Sequence, residues 1–395
     1  MTASTKSRIE SIDLLRGIVI VIMALDHVRD YFHADNFLFD PTDLSHSNPA
    51  IFFTRWITHF CAPTFVFLAG TSAFLVGERK TKRQLSVFLL TRGLWLMLLE
   101  ITIVSFAWSF SPAFIFTRLQ VIWVLGFSIV ILSAVIHLPI RVILIVGVLI
   151  LFFHNALDNI HVTENTFKGF VWAELHERKR FVIDGYTIAT SYPVLPWFGI
   201  MALGYCFGQL YQKGFDVIKR KKILLTIGGI AIGLFIILRG LNIYGDKDLW
   251  SPQNSLAMTV CSFLNTTKYP PSLLYTLMTL GVSIIFLALS ERKLGWLGNR
   301  LIHFGRVPMF FYLLHLYLIH LLATVAIAIS GRPWTDTIIT FTPSAKDSPW
   351  LAGYGFSLLG TYLVWLFIVV MLYPICKWYD KYKQNNKDKW WLSYL

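Results

Sequence analysis

Runs of about twenty predominantly apolar residues recur from one end of this 395-residue chain to the other, and that pattern leaves few folds open to it. Inside a bilayer no water bonds the backbone, so a spanning segment must close its own hydrogen bonds as a helix or join a closed barrel. Segments this long predict helices, since about 20 residues rising 1.5 Å each cross a hydrocarbon layer of about 30 Å. Only 14% of the residues are charged, against roughly a quarter in a soluble domain. The fold expected is all-α: one integral-membrane domain, residues 1–395, forming a polytopic helical bundle of about ten spans.

The spans are expected near 12–32, 52–76, 86–108, 114–136, 141–156, 193–211, 223–244, 271–290, 308–329 and 354–376. The first run contains Arg16, Asp26 and His27 and lacks a small-residue cleavage site. It reads as a retained span rather than a signal peptide. Most Lys and Arg fall in alternate connections such as ERKTKRQ and KGFDVIKRKK and in the tail KWYDKYKQNNKDK. The positive-inside bias then places both termini in the cytoplasm. The long loops 33–51, 157–192, 245–270 and 330–353 fall on the outer side, where loops of this length often carry function.

A net charge of +13 would suit nucleic acid if it formed a stripe on a soluble domain, but here the basic residues cluster in short inter-span loops. The bilayer is the partner instead. Cys61, Cys206, Cys261 and Cys376 are scattered without CxxC spacing. They read as small buried hydrophobes, with neither disulfide nor metal site expected. The chain has no GxSxG, HExxH or Walker loop, and no repeat suggesting a transporter of inverted symmetry.

The chemistry is sought among ionisable groups inside the spans, which are costly and usually face a cavity. Arg16 and His27 are eleven residues apart in the first span. Eleven helical steps return to within about 20° of the same face after roughly 16 Å of rise. One stripe thus offers a guanidinium for an anionic donor and, further along, an imidazole that could serve as base. Asp26, Arg29 and Asp30 crowd beside His27, and Asp30, one turn on, is expected to orient the imidazole. A snorkelling interfacial cluster is the plain alternative. Arg16 could pair with Asp13 one turn earlier. Arg92 and Arg118 are further cations for a phosphate-bearing donor, or partners of Glu100 and Gln120. His315, His59 and His33 are further candidates for a polar cavity wall. His315 and His320 are five residues apart, about 140° around a helix, which argues against a shared metal. Gly17, Gly70 and Gly305 are expected to allow close helix approach.

The strings SIDLLRGIVIVIMALDHVRDYF, AGTSAFLVG, KYPPSLLYTLMTLG and GRVPMFFYLLHLYLIH together resemble a bacterial membrane family related to the catalytic part of heparan-α-glucosaminide N-acetyltransferase. The Arg-x10-His spacing also resembles the wider transmembrane acyltransferase superfamily. That resemblance implies His27 as the catalytic histidine and Arg16 at the acyl-CoA donor. It implies acetyl-CoA as donor substrate, an extracytoplasmic sugar or glycan acceptor, and a bacterial inner membrane. In the lysosomal enzyme the position corresponding to His27 reads as Asn, with the catalytic His further toward the luminal loop, where this chain has His33 and His46. The essential base therefore stays open between His27 and a loop histidine. The function expected is transfer of an acyl group, by resemblance acetyl, from cytoplasmic acyl-CoA to a hydroxyl or amine outside. The alternatives are a transporter or flippase of an amphiphilic anion, or a sensor in which His27 switches with pH. The acceptor, the choice of N- or O-transfer, and the oligomeric state, a homodimer included, stay open.

Overall fold

A computed structural model describes residues 9–163, 165–291, 294–338 and 353–393, and these are mostly helical. The chain opens with α1 (Glu10–Phe32), then α2 (Pro49–Trp56), which passes through one 3-10 turn into α3 (Cys61–Gly77). Next, α4 (Lys82–Leu99) widens through a π turn at Glu100–Val104 into α5 (Ser105–Ser109). A short strand β1 (Phe116–Leu119) leads to α6 (Val121–Val135) and α7 (Ile140–Phe153). Then come α8 (Phe167–His176), the strands β2 (Lys179–Ile183) and β3 (Tyr186–Thr190), and α9 (Val194–Phe207). The chain continues as α10 (Val217–Leu241), α11 (Leu256–Leu264), α12 (Leu273–Leu289), α13 (Trp296–Arg306), α14 (Pro308–Ile329) and α15 (Leu358–Asn385).

Each of the ten apolar stretches contains a helix. Among the described residues, seven helices are long and apolar enough to cross a membrane, while α6 and α12 are apolar but shorter. The 23-residue α1 has the length but carries Glu10, Asp13, Arg16, Asp26, Arg29 and Asp30. One stretch departs from expectation: the helix expected from 114 begins only at Val121, and Arg118 lies on β1 instead. The expected outer loop 157–192 is also structured. It holds α8 and the antiparallel pair β2–β3, with β1 added parallel to β3. Asp184 and Gly185 turn that hairpin with φ of 47° and 83°, the positive values a two-residue hairpin turn requires. Most of the expected loop 330–353 lies outside the described residues.

Helix α1 is the hub, packed against α3, α12, α13, α14 and α15. Its contact with α13 is set by glycine. A Cβ on Gly17 would stand 2.0 Å from the Leu301 carbonyl oxygen, and one on Gly305 would stand 1.8 Å from that of Asp13. The two backbones therefore touch, which only glycine permits. Helix starts follow local chemistry: Asn48 caps α2 with Pro49 in the first turn, and Thr81 with Gln84 forms a reciprocal capping box on α4. Ser272 caps α12. Pro270 and Pro271 thus precede that helix rather than opening it, the first of them through a cis bond.

Loop 245–270 is anchored by Arg239, 1% exposed in the last turn of α10. Its guanidinium donates to the carbonyls of Phe263 (2.9 Å), Asp248 (2.8 Å), Ser262 (3.0 Å) and Asn265 (2.6 Å). Each buried acceptor left without a partner costs about 1–3 kcal/mol. Arg239→Met is therefore expected to lower the detergent-solubilised unfolding midpoint by several degrees. Arg239→Lys should recover only part of it, because three ammonium donors cannot span the same fork. A midpoint equal to wild type in Arg239→Met would show that the fork does not hold the loop.

Candidate active site

Two cavities meet on one side of α1. The larger, about 430 Å³, is lined by Arg16, Arg92, Arg306 and Lys383 and by a long apolar wall that includes Ile20, Met23, Phe65, Val66, Leu125 and Met309. It also reaches Asp26, His27, Thr58, Tyr192, Lys268 and Tyr312. The second, about 320 Å³, is polar, with Arg29, Asp30, Asp40, Arg55, Arg118, Arg178 and Arg180 in its lining. Asp26, His27 and Tyr192 line both. The sequence places Arg16 and His27 about 16 Å apart along α1 by helical rise, so the first cavity runs from a cationic end to an imidazole shared with its neighbour.

His27 is set by the helix facing it. Its Nδ1 lies 2.7 Å from His315 Nε2, with the two rings stacked at 5.0 Å, and Trp108 and Tyr312 present their edges at 5.0 and 6.1 Å. His315 Nδ1 lies 2.9 Å from the Phe311 carbonyl, which can only accept. A neutral His315 must therefore carry its proton on Nδ1 and offer a lone pair at Nε2. His27 Nδ1–H then donates to that lone pair, leaving the His27 Nε2 lone pair as the basic site. The side chain bonded to His27 is thus His315, where sequence expects Asp30. Asp30 accepts from Arg29 at 2.9 Å, and Arg29 is 4% exposed. Asp26 is held by Arg29 at 3.0 Å and by Arg55, so both of its carboxyl oxygens are engaged by guanidinium groups.

At the far end of the first cavity Arg16 donates to the Leu68 carbonyl at 3.0 Å and to the Ser72 hydroxyl, with Asp13 at 3.8 Å. The intrahelical pair is therefore long, while α3 accepts two hydrogen bonds from the guanidinium. Arg306 stands between Asp13 (3.4 Å) and Asp380 (3.6 Å). Arg92 lines this cavity too and stacks on Phe88 at 4.5 Å. Arg118 lines the other one, so the three arginines proposed from sequence do not share a site. Burial and the neighbouring Arg178 push the Arg118 guanidinium down to about 10, still a cation at neutral pH. Glu100 does not pair with Arg92 in the way considered. Its carboxylate accepts from the Trp123 backbone at 3.0 Å, at the start of α6.

The remaining histidines stand elsewhere. His59 is 2% exposed and its carbonyl takes the Tyr275 hydroxyl at 2.7 Å. His33 is 2% exposed, 3.9 Å from Asp35 and bridged to Phe356. His46 is exposed and bonded to Asp43 at 2.8 Å. None of the three lines either cavity. His320 bonds the carbonyls of Ala107 and Thr337, each at 2.8 Å. Sequence reading passed over Arg55, Tyr192, Lys268 and Arg306. Lys268 opens KYPPSLLYTLMTLG, a string that carries the family resemblance, and Arg55 sits one turn before His59 in RWITHF. Nothing local marks Tyr192, whose hydroxyl meets that of Tyr269 at 3.2 Å. The Tyr269 phenol is opposed in ionising by burial, yet the Lys268 and Arg55 charges bring it below its ordinary value.

No curated protein matches the chain. The family described as heparan-alpha-glucosaminide N-acetyltransferase, catalytic, matches residues 8–232, a stretch that holds Arg16, His27, Arg55, Arg92, Arg118 and Tyr192 but ends before Lys268, Arg306 and His315.

Proposed function

Because the chain belongs to the heparan-alpha-glucosaminide N-acetyltransferase catalytic family, a family of membrane acetyltransferases, we propose that it moves an acetyl group from acetyl-CoA to a hydroxyl or amine of a sugar acceptor, with His27 as the base. The observation that carries this reading is that His27 lines both cavities. A donor in one can meet an acceptor in the other at that shared wall, where His27 stands with Asp26 and Tyr192 and is the one side chain of the three suited to act as a neutral base. CoA phosphates would sit among Arg16, Arg92 and Arg306, where planar guanidinium forks suit phosphate oxygens. The pantetheine arm would follow the apolar wall toward His27. Placing the Arg16 end in the cytoplasm follows the positive loop bias, and an inner membrane of a bacterium is the setting that fits it.

In the transfer, His27 Nε2 takes the proton of the acceptor O–H or N–H as that atom attacks the thioester carbonyl. The tetrahedral oxyanion collapses, the C–S bond breaks, and the imidazolium returns its proton to the departing CoA thiolate. The products are the acetylated acceptor and CoA–SH. Lys268, which lines the donor cavity together with His27, supplies positive charge near the developing oxyanion. The Arg29–Asp26–Arg55 ion pairs hold α1 against α2 beside the base. His315 keeps His27 in the tautomer with a free Nε2 lone pair.

Protein reconstituted in liposomes, given radiolabelled acetyl-CoA and amino or hydroxyl sugars, should release CoA and label the sugar. Movement of an amphiphilic anion without consumption of acetyl-CoA would favour the transporter reading instead. Charge-assisted hydrogen bonds contribute about 1.5–3 kcal/mol, so Arg16→Ala should raise KM for acetyl-CoA by roughly 10- to 100-fold with a smaller change in kcat. An unchanged KM would remove Arg16 from the donor site.

A further inference from the structure

Away from both cavities, the 3-10 turn that follows α7 and the end of α8 bring His154, Asp158 and His176 together, with one ligand atom of each lying within 4.8 Å of the others. His154 is 2% exposed and neither of its ring nitrogens has a hydrogen-bond partner. An imidazole buried with both nitrogens unsatisfied is costly. His176, 3% exposed, meets Asp158 through Nε2 at 3.0 Å, and its Nδ1 has no partner. Asp158 also accepts from the Asn155 amide at 2.8 Å. The same Asn155 accepts from the Leu273 backbone at 2.9 Å, tying the cluster to the start of α12.

We propose that His154, Asp158 and His176 form a binding site for a divalent transition metal of the zinc class, three protein ligands leaving a fourth position for water. Two imidazoles and one carboxylate are a donor set such ions take readily. Ligands about 2.0–2.1 Å from a tetrahedral ion stand roughly 3.4 Å apart, so a spacing within 4.8 Å needs only rotamer adjustment to close. His154 gives the strongest argument, because a metal bond at one nitrogen answers the desolvation that nothing else in its surroundings answers. The consequence is local and structural. Residues Arg178 and Arg180, which line the second cavity, begin two residues after His176, so a metal there fixes where β2 starts relative to that cavity. This proposal stands apart from the acetyl-transfer reading.

The test is metal binding by the full-length, untagged protein in detergent. After chelator treatment and dialysis, wild type should take up one equivalent of Zn²⁺ or Co²⁺, raise its unfolding midpoint, and give the intense visible absorption of four-coordinate Co²⁺. His154→Gln and His176→Gln, each checked for wild-type elution on size exclusion, should bind more than about tenfold more weakly. Failure of wild type to bind stoichiometrically overturns the site. So does a weak six-coordinate Co²⁺ spectrum, a measurement that needs no variant. Equal affinity in both variants overturns it as well, and would mark His154 and His176 as an edge-on aromatic pair, their rings 5.6 Å apart.

Discussion

His27→Ala is expected to lower kcat for acetyl transfer by about 10²- to 10⁴-fold, the range supplied by a positioned general base, while leaving the affinity for acetyl-CoA within a few-fold of wild type. The split matters more than the size. His27 stands at the boundary of the donor cavity, far along α1 from the cations near Arg16, so its loss removes proton transfer without removing the phosphate contacts. His315→Ala should fall between the two: it leaves the base in place but frees its tautomer, so activity should drop and the pH profile should change shape. His315→Gln, able to accept from His27 Nδ1 through its amide oxygen, should recover part of the loss. Single-turnover kinetics and equilibrium binding of acetyl-CoA separate the two effects. Near-wild-type turnover in His27→Ala would move the base elsewhere, and His33 and His46 would not replace it without a rearrangement that brings them to a cavity.

Substitution at Gly305 should have the largest effect on folding. A Cβ there would stand 1.8 Å from the Asp13 carbonyl oxygen and 2.7 Å from the Gly17 nitrogen, both backbone atoms that cannot swing aside. Normal contact requires the helices to separate by on the order of 1.5 Å. That would open the α1–α13 interface and pull Arg306 from Asp13. Overpacking of a tight interface costs about 1–3 kcal/mol and sometimes more, so Gly305→Ala should lower the unfolding midpoint and Gly305→Leu should yield little monodisperse protein. A surface control exists in Gly229→Ala on α10, where an added Cβ meets nothing within 4 Å and helix propensity favours alanine. Equal behaviour of all three on size exclusion and in thermal unfolding would show that α1 is not set by backbone contact with α13.

The helical class was legible in the sequence because membrane helices carry their signal locally: apolar length alone marks them. The residues lining the first cavity were partly legible for a related reason. Arg16 and His27 share a helix, and helical periodicity tells which face each takes. What lay out of reach was long-range. That His315 rather than Asp30 bonds His27 depends on how α14 packs on α1, and the same-helix candidate was favoured because sequence reveals neighbours along a helix but not across an interface. Sequence alone places Arg118 in a span because its flanks in FIFTRLQVIWV are apolar apart from Thr117 and Gln120. Its place on a strand follows from pairing with β3, some seventy residues on. The β2–β3 hairpin does carry a local signal, since FVIDGYTIAT sets β-branched and aromatic residues around Asp-Gly, within a stretch otherwise expected to be a long outer loop. The cluster of His154, Asp158 and His176 spans 23 residues, from the 3-10 turn after α7 to the last residue of α8, a spacing no metal motif describes.

The account stands on one arrangement, a donor reaching from Arg16 to His27 within the first cavity. A structure of the protein with CoA bound measures it most directly. The account predicts phosphate density beside Arg16 and Arg306 and the pantetheine thiol next to His27 Nε2. CoA density in the cavity of Arg118 and Arg178, or a thiol that ends away from His27, would contradict it.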